Sequence, residues 1–191
     1  MAFIHIGIFL FAGMHLFSLL LPAMRNRVSA RLGENQYKGI YSLVSLLGVI
    51  LMGYGYWQER HGAMAGVSHY EPIEAMRHAA MGLVLLAFIL IASRDGKGYI
   101  RKWVRHPFSI GFALWSLGHL IANGEIYVVP IFATFFAISI LDIALGFARG
   151  GPHQFTPMIK RDGIAVIAGL FAYAIFAYGF HPYVLGLPVL R

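Results

Sequence analysis

The sequence predicts an all-α protein: a polytopic transmembrane helical bundle of about six spans, with both termini on the outer side of the membrane. Three observations predict it. Of 191 residues, 59% are apolar and only 12% are charged, too few charges to cover the exterior of a soluble domain. Apolar runs long enough to cross a bilayer, which takes roughly 20 helical residues, recur along the whole chain. The lysines and arginines between those runs fall almost entirely on one side.

The first run, 3–22, carries no basic residue before it and ends at Leu21-Pro22-Ala23-Met24-Arg25. That flank resembles a stop-transfer boundary rather than a small-x-small cleavage site, so the first helix is expected to be retained. The second, 38–57, stops at Gln58-Glu59-Arg60, and the third, 76–93, at Arg94-Asp95-Gly96. The fourth, 106–123, ends at Asn123-Gly124, the fifth, 127–148, at Gly150-Gly151-Pro152, and the sixth, 163–182, at Pro182. The third and fourth are the shortest, and Arg77 and His106 stand at their ends, where polar side chains can snorkel to the interface. With no repeat, low-complexity tract or soluble extension, residues 1–191 form a single transmembrane domain.

Charge gives the topology. Arg25, Arg27, Arg31 and Lys38 lie in the first loop; Arg94, Lys97, Arg101, Lys102 and Arg105 in the third; Arg149, Lys160 and Arg161 in the fifth. Twelve of the 15 basic residues are therefore in odd-numbered loops, which the positive-inside rule places in the cytoplasm. The opposite side holds Glu59, Glu71, Glu74 and Glu125 with only Arg60, Arg77 and Arg191. The net charge of +7 is thus topological and suited to anionic lipid heads, with no nucleic-acid partner implied. Tyr54, Tyr56, Trp57, Tyr127, Tyr178 and Tyr183 mark one interface, and Tyr37, Tyr41, Tyr99 and Trp103 the other. Residues 58–75 form the longest outer loop, the segment expected to be most flexible. Cysteine is absent, which excludes disulfides, thiolate ligands and cysteine nucleophiles. No serine-histidine-acid set, phosphate-cradling glycine loop or HExxH occurs. Inverted repeats, broken helices and midplane charges, the marks of a small transporter, are not evident.

Two histidines fall inside spans. A polar ring in hydrocarbon costs a few kcal/mol unless it is hydrogen-bonded or bound to something. On the fourth run, His119 follows Ser116, Trp115, Phe112 and Phe108 at helical spacing, within roughly 60° of one another. Gly111, Gly118 and Ala122 form a small-residue stripe beside them, open to a neighbouring helix or a flat ligand. On the first run, Phe11, Ile8, Ser18 and Leu19 surround His15. Paired imidazoles backed by aromatics suit a planar apolar cofactor, and haem iron is the common one in helical bundles. The competing role for each is an interhelical hydrogen bond. By depth, His15 stands about 10 Å and His119 about 20 Å from the cytoplasmic ends of their helices, so His78, near the outer end of the third helix, is the reserve ligand. His106, before Pro107, is placed to meet a propionate or a lipid phosphate. His5, His61, His69, His153 and His181 are read as terminal or loop residues without a role. Asp142, the one carboxylate inside a span, is expected to pair with a basic loop residue.

The ordered motifs GMHLFSLLLPAMR, RLGENQYKGIYSLVSLLG, Arg77-His78 and RHPFSIGFALWSLGHLIANG resemble the NnrU family of bacterial membrane proteins, from His15 to about Asp142. The resemblance implies a multi-pass protein of the bacterial inner membrane with periplasmic termini. The 15-cis-ζ-carotene isomerases of the same superfamily hold haem b and isomerise a carotenoid double bond when the iron is ferrous. By resemblance, His15 and His119 match their axial ligands. Where those isomerases carry a redox-linked cysteine, three residues before the second ligand, this chain has Ser116. Bacterial NnrU proteins are associated with denitrification and nitric oxide metabolism.

The sequence therefore predicts one haem b between the first and fourth helices, ligated by His15 and His119. Phe11, Phe108, Phe112 and Trp115 would line the ring, and Arg105 or Arg101 would reach the propionates. The function classes are a haem-dependent cis-trans isomerase of an apolar polyene such as a carotenoid, a non-enzymatic electron carrier or nitric oxide responder, and, behind both, a small transporter.

Overall fold

A computed structural model describes residues 1–150 and 154–187; His153, the Gly151-Pro152 stop and Arg191 lie outside the described residues. Helices account for 78% of it: α1 (Ala2–Leu20), α2 (Pro22–Leu32), α3 (Glu34–Arg60), α4 (Glu74–Ala92), α5 (Tyr99–Val104), α6 (Pro107–Ala122), α7 (Val129–Arg149), α8 (Ile159–Ala174), a π-helical segment (Ile175–Phe180) and a last turn, α9 (His181–Tyr183). Among the described residues the β structure is one isolated bridge, Ser68 with Glu125. Five stretches are long and apolar enough to cross a membrane: Ala2–Leu20, Glu34–Arg60, Glu74–Ala92, Val129–Arg149 and Ile159–Tyr183. The remaining expected span, the fourth, is α6, which is apolar but has 16 residues, roughly 24 Å of helix.

Two stretches expected as loop are helical. Pro22 was read as a stop, and it also starts α2, because its missing N–H and fixed φ suit a first helical turn. Gly33 ends α2 with φ +91°, a left-handed value that favours glycine, and α3 begins at Glu34, four residues before the expected start. In the third loop, α5 is capped from a distance: the Asp162 carboxylate on α8 accepts the backbone N–H groups of Tyr99 and Ile100 at 2.8 and 3.0 Å. Asp162 is buried, and it satisfies N–H groups that a helix start leaves without partners.

The chain divides into two compact units. Unit 1 comprises Met1–Glu71 and Asn123–Ile138; unit 2 comprises Pro72–Ala122 and Ser139–Arg191. In unit 1, α1 and α3 run antiparallel with their backbones in close approach. A Cβ on Gly7 would stand 2.5 Å from the Gly48 carbonyl oxygen, and one on Gly55 would stand 2.7 Å from Ile4. Small residues at such a seam let dispersion contacts and packing hold helices together in lipid. Ile4 and Met52 from this seam join Tyr127, Val128 and Ile131 in the core of the unit. The long loop after α3 is tied down rather than loose: His69 N–H donates to Gly124 O at 2.8 Å, Ile126 N–H to Val67 O at 3.1 Å, and the Tyr70 hydroxyl to Asn123 O at 2.9 Å.

In unit 2, α4 packs against both α6 and α8. Gly111 and Gly118 of α6 face Ala87 and Ala80 of α4, and Gly169 of α8 faces Ile89. The glycine stripe on α6 therefore admits a neighbouring helix. The second half of α7 runs antiparallel to α6, with Gly146 against the His106 ring and Asp142 accepting from Ser109.

Candidate functional site

Each membrane histidine is held by its own helix. The His15 Nδ1 lies 2.8 Å from the Phe11 carbonyl, and the His119 Nδ1 lies 2.8 Å from the Trp115 carbonyl. A carbonyl only accepts, so both Nδ1 atoms carry the proton, and the neutral ring then bears its lone pair on Nε2. Fixing the tautomer through the other ring nitrogen is what backbone carbonyls do for metal-ligating histidines.

In unit 1, the His15 ring stacks on Phe11 with centroids 4.0 Å apart and 25° between planes. Tyr41 of α3 lies 5.2 Å away. Phe11 in turn meets Phe135 edge-on at 4.9 Å. These separations are within or close to the range where aromatic pairs add stability beyond area burial.

In unit 2, one face of α6 is a continuous aromatic ladder: Phe108 to Phe112 at 4.8 Å, Phe112 to Trp115 at 5.7 Å, and Trp115 to His119 at 4.9 Å. Ser116 is completely buried and donates to the Phe112 carbonyl at 2.7 Å, so its hydroxyl is turned back on its own helix. At the other end, the Arg94 guanidinium sits 4.6 Å over the Phe108 ring, a cation–π contact.

The sequence reading gave no role to His181. Its ring lies 6.2 Å from that of His119, with 27° between planes, and its Nδ1 approaches the Phe176 carbonyl at 2.7 Å, five residues back. That i−5 partner belongs to the π segment. One extra residue in a helical turn rotates everything after it by about 100°, and this sets the direction of His181. A usable signal was in the sequence: the outer ends of the fourth and sixth runs each carry a histidine. The π segment is not readable from residue types.

The remaining candidates are placed as follows. His78, also in unit 2, is exposed in the first turns of α4 with Nδ1 3.1 Å from Glu74 O. His106 lies flat in the slot left by Gly146, 4.8 Å from Phe147, and its buried Nε2 has no hydrogen-bond partner. Arg105 donates to Gly150 O at 2.7 Å and covers Phe147 at 4.8 Å, closing the carboxyl end of α7. It does so at φ +62°, an uncommon value for a non-glycine residue. Arg101 stands 5.8 Å over Phe155. Asp142 departs from expectation: its carboxylate accepts from Ser109 on α6 rather than pairing with a loop cation. A serine one turn into α6 is nearer in depth than any loop side chain. Outside the spans, burial and the nearby Glu125 carboxylate raise the Tyr70 phenol above its usual pKa.

Among the described residues, no three His, Asp or Glu side chains converge to hold a metal ion on protein ligands alone. A porphyrin supplies four of the six donors to its iron, so neutral imidazoles and apolar ring faces are the fittings it requires of a protein. Those fittings are present at His15 with Phe11 and at His119 with the α6 ladder.

No curated protein and no solved structure matches the chain. The family model described as NnrU protein matches residues 3–189, nearly the whole length, and the chain is therefore a multi-pass membrane protein of the NnrU family.

Proposed function

We propose that this NnrU protein binds one b-type haem in the bacterial inner membrane, which His15 and His119 would hold. The observation that carries the reading is the shared treatment of the two rings: each donates Nδ1–H to the carbonyl one turn back and is backed by an aromatic side chain on its own helix. When bound, the haem would supply one-electron redox chemistry and, only with one of the two histidines off the iron, a metal centre open to an apolar substrate or a diatomic gas. The chain's part is to fix both imidazoles in the ligand tautomer, and to surround them with Phe11, Phe112 and Trp115, which exclude water. Ser116 stands where the carotenoid isomerases have a redox-linked cysteine, so this protein has no thiol to oxidise at that place.

The activity that goes with this reading is cis-trans isomerisation of an apolar polyene such as a carotenoid. A haem protein that carries electrons or responds to nitric oxide in denitrification is the alternative. Conversion of ζ-carotene in a host that accumulates it separates the two.

The test of haem binding is an absorption spectrum of detergent-purified, haem-replete protein, oxidised and dithionite-reduced, beside His15→Ala and His119→Ala. The reading requires a Soret band with sharp reduced α and β bands that both variants lose. A clean preparation without a Soret band returns both histidines to a structural role.

A further inference from the structure

The corner where α2 meets α3 in unit 1 is built from cations that no carboxylate fully answers. Helix α2 carries Arg25, Arg27 and Arg31 and no acidic residue. Among the described residues, none of the three forms an ion pair. The one acid at the corner, Glu34, is engaged by Lys38 one turn along α3. Gly33, with its positive φ, folds α2 against α3 and brings the two sets together.

An open cavity of about 320 Å³ occupies this corner, lined by Arg25, Asn26, Ser29, Glu34, Tyr37 and Lys38. Two of its donors are already oriented. Both Nε and one terminal nitrogen of Arg25 donate to the Asn26 side-chain oxygen, at 3.1 and 2.8 Å, which fixes the plane of the guanidinium. The Tyr37 hydroxyl is bonded to Ser18 of α1 at 2.9 Å. The same corner exposes apolar side chains: Leu20 and Leu21 where α1 ends, then Met24 and Leu32 on α2, each about half exposed. Because α2 continues directly from a membrane-spanning helix, its apolar residues and its arginines lie where hydrocarbon gives way to headgroups. The free terminal edge of the Arg25 guanidinium, the Ser29 hydroxyl and the ammonium of Lys38, which offsets the Glu34 carboxylate beside it, match a phosphate oxygen set, and the apolar flank matches acyl chains.

We propose that this corner is a binding site for the phosphodiester headgroup of an anionic membrane lipid, held by Arg25, Ser29, Tyr37 and Lys38. The site is independent of haem. The apolar flank is what favours a lipid over a soluble phosphate, since a free anion would leave it uncovered.

The experiment is native mass spectrometry of the full chain, delipidated in a neutral detergent and titrated with an equimolar mixture of phosphatidylglycerol and phosphatidylcholine. With Lys38 already paired to Glu34, Arg25 supplies most of the charge selectivity, and one unanswered cation near an anionic lipid surface gives a preference of about fivefold for phosphatidylglycerol. That preference should fall to near parity in Arg25→Gln/Lys38→Gln and persist in the control Lys160→Gln. Arg25→Lys, which keeps the charge and loses the fork, should fall between them, and it serves as the reporter if the double variant fails to fold. Equal retention of the two lipids by the wild type would overturn the proposal, as would undiminished preference in both Arg25 variants. Complete displacement of the lipid by equimolar inorganic phosphate would assign the cavity to a soluble anion and overturn the lipid assignment.

Discussion

In unit 1, His15 lies against Phe11 at 4.0 Å and Tyr41 at 5.2 Å; in unit 2, His119 lies against Trp115 at 4.9 Å and a second imidazole, His181, at 6.2 Å. The hydrogen bond to the carbonyl one turn back is the same in both. What differs is the neighbour from another helix: a phenol, which ligates a metal only after losing its proton, in the first, and an imidazole, which ligates as the neutral ring, in the second. The local device depends on five consecutive residues of helix, 11–15 and 115–119, and is repeated. The distant partner depends on how each unit packs, and it makes the two stations chemically unequal.

The packing beneath them is unequal too, and the largest expected effect tests it. A Cβ on Gly7 would meet backbone, the Gly48 carbonyl at 2.5 Å and the Met52 nitrogen at 2.8 Å. One on Gly118 would meet first a side-chain methyl of Val84 at 2.8 Å. Backbone in a helix seam cannot step aside, whereas a valine methyl can shift by a few tenths of an ångström. Gly7→Ala should therefore cost about 1–3 kcal/mol, within the usual range for overpacking, and Gly118→Ala should cost less. Thermal unfolding in detergent reads the order, and equal losses would mean the two seams yield alike.

Next in size is Ser109→Ala in unit 2. It removes the donor to Asp142 and leaves a carboxylate within a span with one hydrogen bond fewer, a loss of about 1–3 kcal/mol. Asp142→Asn, which keeps an acceptor facing the serine, should unfold at a higher temperature than Ser109→Ala. The reverse order would show that the carboxylate charge contributes more to stability than the serine's hydrogen bond.

The π segment is tested by proximity. In this cysteine-free chain, His119→Cys with His181→Cys can be bridged by a short thiol-specific cross-linker and read by mass spectrometry. Deleting Ala177 from the π segment turns His181 by about 100° and should abolish most of the bridge. A bridge of equal yield in the deleted chain would show that the π segment does not set the direction of His181.

Much of the fold was legible in the sequence because lipid enforces two rules: apolar runs must be helical and of spanning length, and basic residues gather on one side. Those rules placed six apolar helices to within a few residues at most ends. They were silent about α2 and α5, since polar helices at the interface follow capping rather than hydropathy. Pro22 as a helix start and Asp162 as a remote cap are readable only once their partners are in place. The aromatic ladder of α6 was legible for the same reason as His15 on Phe11, as both follow helical spacing. His181 was not, because it reaches His119 through a register shift. Nor was the Ser109–Asp142 pair, which joins residues 33 positions apart.

The smallest expected effect returns to unit 1, at the loop that the sequence suggested was loose. Tyr70 donates to the Asn123 carbonyl and is raised above the usual phenol pKa by burial and by Glu125. A raised folded-state value means that the unfolded chain loses this proton first as pH climbs. The contribution of the loop to stability is therefore intact below about pH 10, the ordinary phenol range, and declines as pH rises from there through the folded value. Tyr70→Phe should remove that alkaline sensitivity and cost only about 1 kcal/mol at neutral pH, since it deletes a single hydrogen bond at a partly exposed side chain. Phenolate absorbance followed during alkaline titration, beside unfolding temperature at each pH, checks both halves. A Tyr70 that ionises at the ordinary phenol pKa would show that the loop opens before it titrates, and the contrast between the tied loop and a loose one would then fall.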